Sequence, residues 1–314
     1  MMSARLGVFG AAVSALMIYG FSSPAANAPH GQDAAAVAQT RVGNFLLVDA
    51  NFEAHELYRM ADAPAVVLVT QSNNDAVIRG QAPALKALKA AYAGKGVQFL
   101  MLNSNLKDSQ EAIQAEGAKT GYDTPILMDS YQLVGESLGV TRSAEVIVID
   151  PKTWTVAYRG SLADAATAKA LAALAAGQPV SMAQAAPSKG ALIDFPARAQ
   201  KAQLTYVKDV APILEAKCVA CHEEGGIGPF AMNNYATVKG FSPMIRDVIR
   251  TDRMPPYNAD PHVGKFSNDR RLTADETKTL VHWIDQGAVR GEGVDPLGAK
   301  HLVAAEWPLG KPDV

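Results

Sequence analysis

The feature that most constrains this chain is a five-residue run, Cys218-Val219-Ala220-Cys221-His222, which holds both cysteines of a 314-residue sequence. With every thiol in one motif, no structural disulfide can form beside it. Cys-x-x-Cys-His is the attachment signature of c-type haem: two thiols add to the porphyrin vinyl groups and the adjacent histidine supplies an axial nitrogen to iron. The spacing suits this because one turn of helix presents both sulfurs to one edge of the ring while His222 points to its centre. A thioredoxin-like redox pair is the competing reading, since Cys-x-x-Cys also lowers a thiol pKa. Such a pair is expected after a strand of an α/β domain, whereas this one lies between helical segments. A zinc site would need two further ligands near by, and there is no second cysteine pair. The expected cofactor is one covalent haem c, with Cys218 and Cys221 as anchors and His222 on the iron.

The opposite axial position has several candidates. Met254 stands in Arg253-Met254-Pro255-Pro256, where two prolines keep the thioether out of any helix. A thioether opposite histidine raises the haem potential and suits electron transfer. Met254 is the expected ligand and His262 its rival, with Met232, Met244 and His282 as further alternatives. Met244 falls on an apolar helical stripe and is assigned to the core. Arg246, Arg250 and Arg253 recur on one helical side leading into Met254. A solvated face is the usual meaning of such a run. Arg250 and Arg253 are nevertheless candidate partners of a haem propionate, because guanidinium binds carboxylate bidentately.

The start of the chain reads as an export signal. Met1 to Arg5 carry the segment's one charge, Leu6 to Phe21 are almost continuously apolar, and Ala26-Asn27-Ala28 is a small-x-small cleavage pattern. Residues 1–28 are therefore expected to be a signal peptide, and the mature protein to reside in the periplasm with no membrane span. The net charge of −2 provides no broad basic field, so nucleic acid is not an expected partner.

Along the rest of the chain the periodicity changes once. From 42 to 177, strand patterns alternate with helical ones: 65–70, 97–102, 126–128, 146–149 and 155–158 are extended, and helices are expected from Pro83, Asp108 and Ala163. Glu111 stands at a capping-box spacing from Asp108. Alternating strands and helices imply an α/β domain. Residues 178–203, with Pro179, Pro187, Gly190 and Pro196, lose the pattern and form the expected linker. Residues 204–314 are expected to be all-α, with helices near Asp209, from a Ser242 cap and Pro243, and from a Thr273/Glu276 capping box.

Both halves resemble known families. The stretch from Thr205 to Gly293 resembles a cytochrome c domain found fused to redoxin or copper monooxygenase-like domains. The matching residues are Lys208 to Leu214, Cys218 to His222, Gly228-Pro-Phe230, Tyr235, Arg253 to Pro256, Asn268 to Arg271, and Trp283 to Gly287. That resemblance implies haem at the first motif and the methionine of Met-Pro-Pro as distal ligand; Tyr257 departs from the family's usual tryptophan. The N-terminal half resembles the thioredoxin-like redoxins of the AhpC/TSA type through Ala65 to Thr70, Ala82 to Leu88, Lys95 to Val97 and Thr141 to Val146. Redoxins place a catalytic cysteine in the loop after the first of these strands. Asp75 stands about there, and Ala144 replaces the proline that usually precedes the late strand. Without a thiolate there is no nucleophile for peroxide or disulfide exchange.

The function expected is single-electron transfer between a donor and an acceptor in the periplasm, with the thiol-inactive redoxin half docking a partner. A haem peroxidase or part of a peroxide- or copper-dependent oxidising system is the enzymatic alternative, and a haem-based gas sensor the third.

Overall fold

The computed structural model describes residues 41–180, 187–256, 266–267 and 269–298. The expected signal peptide, His262, Tyr257 and Asn268 lie outside these residues.

The N-terminal lobe is built on a five-stranded mixed sheet. A short hairpin, β1 (Leu46–Val48) and β2 (Ala54–Glu56), comes first. The sheet strands follow: β3 (Val66–Gln71), β4 (Gln98–Asn103), β5 (Ile126–Met128), β6 (Val146–Asp150) and β7 (Thr155–Gly160), in spatial order β5-β4-β3-β6-β7. β3, β4 and β5 run parallel, while β6 and β7 pair antiparallel. All six residues of β3 are buried, which explains why Val66 to Val69 form an unbroken apolar run rather than an alternation. Each large aliphatic side chain so buried contributes about 1.5–3 kcal/mol.

Helices cover both faces: α1 (Ala76–Gly80), α2 (Ala82–Tyr92), α3 (Gln110–Thr120), α4 (Leu133–Ser137) and α5 (Ala165–Ala175). Each sheet face has its own apolar cluster, Val67, Val69 and Met101 on one side and Val66, Leu68 and Leu102 on the other. This alternation follows from the period-two geometry of a strand. One expectation fails locally. The cap of α3 is Ser109, whose hydroxyl accepts from Ala112 N, and there is no Asp108/Glu111 capping box. Asp108 is instead used by Asn73 N and Asn103 Nδ2, across the sheet edge.

The C-terminal lobe is helical: α6 (Pro196–Gln200), a π-helical turn (Tyr206–Val210) running into α7 (Ala211–Lys217), α8 (Tyr235–Arg250) and α9 (Ala274–Asp285). Tyr206, Leu214, Leu280 and Trp283 form its centre. The Thr273/Glu276 capping box of α9 is present in full.

α8 does not begin at Ser242. It begins after Asn234, whose side chain accepts from Thr237 N, and runs through Pro243. An interior proline leaves the carbonyl four residues earlier without its N–H donor. Here that carbonyl belongs to Lys239, and the Ser242 hydroxyl donates to it at 2.8 Å. The Ser-Pro pair that reads as a helix start is thus a local repair inside a longer helix. Extending the helix also turns Met244 outward. It is 52% exposed and is not a core residue.

The lobes meet along α4. Leu133 belongs to the apolar cluster of the helical lobe, with Tyr131 packed against it. His282 Nε2 of α9 lies 2.5 Å from Glu136 Oε2 of α4.

Candidate functional site

The Cys-x-x-Cys-His run follows directly on α7. Cys218 N donates to Leu214 O at 2.8 Å, and both Cys221 N and His222 N donate to Cys218 O at 3.1 Å. The motif therefore folds as a continued helical turn, with Cys218 and His222 one turn apart and Cys221 between them. Both thiols are free and partly buried. Burial, then the neighbouring Cys221 and Glu276, pushes the Cys218 thiol up to about 12. This is opposite to the lowering on which a redox-active cysteine pair depends.

His222 is buried, and its ring is fixed. Nδ1 lies 3.0 Å from Phe230 O, so a proton on Nδ1 is donated to that carbonyl and Nε2 is left with a free lone pair. A backbone carbonyl on the far nitrogen is the usual way a metal-binding imidazole is oriented. Gly228 allows this approach. A Cβ there would lie 2.6 Å from His222 Nδ1 and 2.9 Å from Cys221 O. Phe230 holds the other side, tilted against the imidazole at 4.9 Å and stacked on Phe241 at 3.9 Å. The donor set fits a covalently held haem: two adjacent thiols and an imidazole with a fixed tautomer.

The other predicted site residues are placed differently. Met254 follows α8 in a turn closed by bonds from Arg253 N and Met254 N to Val248 O. Its half-exposed side chain lines a cavity of about 550 Å³ between the lobes, with Tyr131, Pro255, Leu272 and Thr277. The described lining of that cavity does not include Cys218, Cys221 or His222. Met232 is buried in the helical core, and its N–H donates to His222 O at 2.7 Å, which places it beside the histidine. His282 is engaged with Glu136. Arg246 pairs with Asp285 at 2.7 Å, and Arg253 is exposed, its Nε donating to Thr251 Oγ1 at 2.9 Å. Arg250 is buried and turned toward the sheet lobe, with Nη2 3.4 Å from Ser137 Oγ.

In the sheet lobe, the loop after β3 leads to Asp75, the cap of α1. Its Oδ1 accepts from Val77 N at 2.8 Å. Its Oδ2 accepts from the Ser143 hydroxyl and, at 2.8 Å, from Ala191 N. Burial raises this carboxyl, but the donors from Ser143, Ala191, Val77 and Ile78 outweigh it and hold the pKa below the usual carboxylate range. Ala144, next to Ser143, takes a positive φ of 58° two residues before β6. The two substituted positions are thus brought together.

The segment after α5 closes over them. Ser143 N donates to Ala191 O, Ile193 N to Thr141 O, Ser188 Oγ to Ser143 O and Arg142 Nη1 to Gly190 O. Ile193 is buried in the sheet lobe's apolar cluster. Part of the expected linker, residues 187–195, is therefore a strap bonded along the sheet lobe. Its prolines and Gly190 signalled irregular backbone, and nothing in its periodicity signalled where that backbone would bind.

The mixed sheet, its two βα crossovers and the capped loop after β3 define a thioredoxin-like α/β domain. Residues 38–165 match the AhpC/TSA family, and this lobe is a redoxin-type domain. No curated protein matches the chain. Among solved structures, the chain is similar to a hypothetical protein from Sinorhizobium meliloti, with 27% identity over 49% of this chain and 92% of that one, at a TM-score of 0.45. It is also similar to an uncharacterized conserved protein from Geobacillus kaustophilus, at 26% identity, 49% and 90% coverage and a TM-score of 0.45. A third similar structure is the peroxidoxin BcpB from Mycobacterium tuberculosis, at 22% identity, 43% and 94% coverage and a TM-score of 0.37.

Proposed function

We propose that this chain is an exported electron carrier whose helical lobe holds one haem c through thioethers at Cys218 and Cys221, with His222 Nε2 on the iron. The observation that carries this reading is the bond between His222 Nδ1 and Phe230 O at 3.0 Å, which orients the imidazole beside two cysteines on the same turn. Haem bound there would supply one-electron chemistry. The chain's own part is to fix the imidazole tautomer, to bury one thioether edge against α7 and to exclude water with Phe230 and Phe241. Met254 is the proposed second axial ligand; it stands in the turn that follows α8, ahead of Pro255 and Pro256.

The redoxin lobe, in this reading, is a docking and positioning module for a periplasmic donor or acceptor. Its nucleophile position is an aspartate already occupied by three donors from Val77, Ser143 and Ala191, and the chain has no cysteine outside the haem motif. Without sulfur there is no sulfenic acid to form, so peroxide cannot be reduced by the redoxin route.

The test is mass spectrometry of protein exported with its own leader. One haem that acid–acetone does not extract, and loss of residues 1–28, are the expected results. Free thiols at Cys218 and Cys221 in exported protein would refute the haem assignment.

A further inference from the structure

The cleft between the lobes carries a charge arrangement that electron transfer does not explain. It is a cavity of about 960 Å³ lined by Arg41, Arg198, Arg246, Arg250 and Arg253, facing Glu136, Asp247 and Asp285. Two of the three carboxylates are already engaged, Asp285 with Arg246 at 2.7 Å and Glu136 with His282 at 2.5 Å. The surplus is positive.

Arg250 is the decisive residue. It is only 8% exposed, yet among the described residues no carboxylate lies within ion-pair distance of it. Among the described residues its one hydrogen bond to a side chain is the 3.4 Å contact with Ser137 Oγ, and neither its Nε nor the buried Nε of Arg246 has a partner there. Asp129, Asp247 and Asp285 act on Arg250 from further away, and Asp129 is itself held by Ser104 Oγ, Val134 N and Gly135 N. Arginine stays protonated at any physiological pH, so a buried guanidinium without an anion is costly. Arg250 also lines the smaller cavity beside Met254, which places the charge between the two spaces.

We propose that the cleft between the lobes is a binding site for a small, diffusible oxyanion, a carboxylate or phosphate group, seated on the buried guanidinium of Arg250. The oxyanion faces the guanidinium groups of Arg250 and Arg246 that line the cleft, and Arg253 and Arg41 attract it from the rim. Because the cleft is walled by both lobes, an occupant would stiffen their relative placement. The described lining of the cleft does not include Cys218, Cys221 or His222.

The experiment is calorimetric and thermal-shift titration of the full-length haem-loaded protein with inorganic phosphate and with succinate, ionic strength being held constant with chloride. Saturable binding of at least one of them, with a rise in Tm that chloride does not reproduce, is expected. Arg250→Met should weaken it about tenfold or more, the loss of a charge-assisted contact. Arg253→Gln, at the exposed rim, should weaken it severalfold with the fold intact. The proposal is overturned if neither anion binds saturably, or if both variants bind as the wild type does. It is also overturned if only the haem-free Cys218→Ser/Cys221→Ser protein responds, because a haem carboxylate would then fill the cleft.

Discussion

The backbone N–H of Ala191 donates to Oδ2 of Asp75 at 2.8 Å, across 116 residues of sequence. Asp75 occupies the loop after β3, where redoxins keep their catalytic thiol, and Ala191 belongs to the strap that leads to the helical lobe. A position that serves chemistry in a redoxin here serves to fasten the next segment of chain. The carboxylate suits this use because it accepts several bonds at once: from the first turn of α1, from Ser143 and from the strap.

Replacing Asp75 by alanine should therefore destabilise the protein by about 2–3 kcal/mol, combining a lost helix cap with unsatisfied buried donors. Urea unfolding measures it, and a loss below about 0.5 kcal/mol would contradict the fastening role. The effect should depend on pH. Because the folded pKa lies below the unfolded one, the Asp75 contribution is fully present above about 4 and disappears as the pH falls through the lower folded value. The stability gap between wild type and Asp75→Ala should close in acid.

Gly228→Ala tests the seating of the imidazole. The added methyl would lie 2.6 Å from His222 Nδ1, so the ring must tilt or the Phe230 bond must lengthen. A lower yield of haem-loaded protein and a shifted potential are expected. Gly240→Ala is the control: nothing lies within 4 Å of a Cβ there, and α8 should gain about 0.4–1 kcal/mol. Equal behaviour of the two variants would show that Gly228 has no special relation to the imidazole.

Met254→Ala should abolish the weak sulfur–iron band at the red end of the oxidised spectrum and lower the potential, while His262→Ala leaves both unchanged. A closed iron also predicts that the reduced wild type does not bind carbon monoxide at once and that Met254→Ala does. Immediate binding by the wild type would favour the peroxidase or gas-sensor alternatives.

The full-length protein should consume no peroxide by a thiol route and should not reduce the disulfides of insulin. Its redoxin lobe has Asp75 where the nucleophile belongs, and Ala191 covers that carboxylate. Turnover that survives Cys218→Ser/Cys221→Ser and is lost on Asp75→Ala would overturn this.

What the sequence determined by itself is what short-range chemistry and periodicity can carry. The buried run of β3 and the Thr273/Glu276 box of α9 are local patterns, and each appears where it was read. Where local signals compete, the fold decided. Ser242-Pro243 has the appearance of a helix start, but Asn234 begins α8 earlier and the Ser242 hydroxyl replaces the missing donor at Lys239. Arg250 reads equally as part of a solvated face or as an anion partner, and only the folded chain, which brings Gly43 and Ser137 against its guanidinium, buries it. The strap was legible as irregular backbone, but its partners Thr141 and Ser143 lie tens of residues away, and a pairing at that distance leaves no periodic trace. Local propensity fixes an element's type over a few residues; which faces become interior is set by contacts that form only when the whole chain is folded.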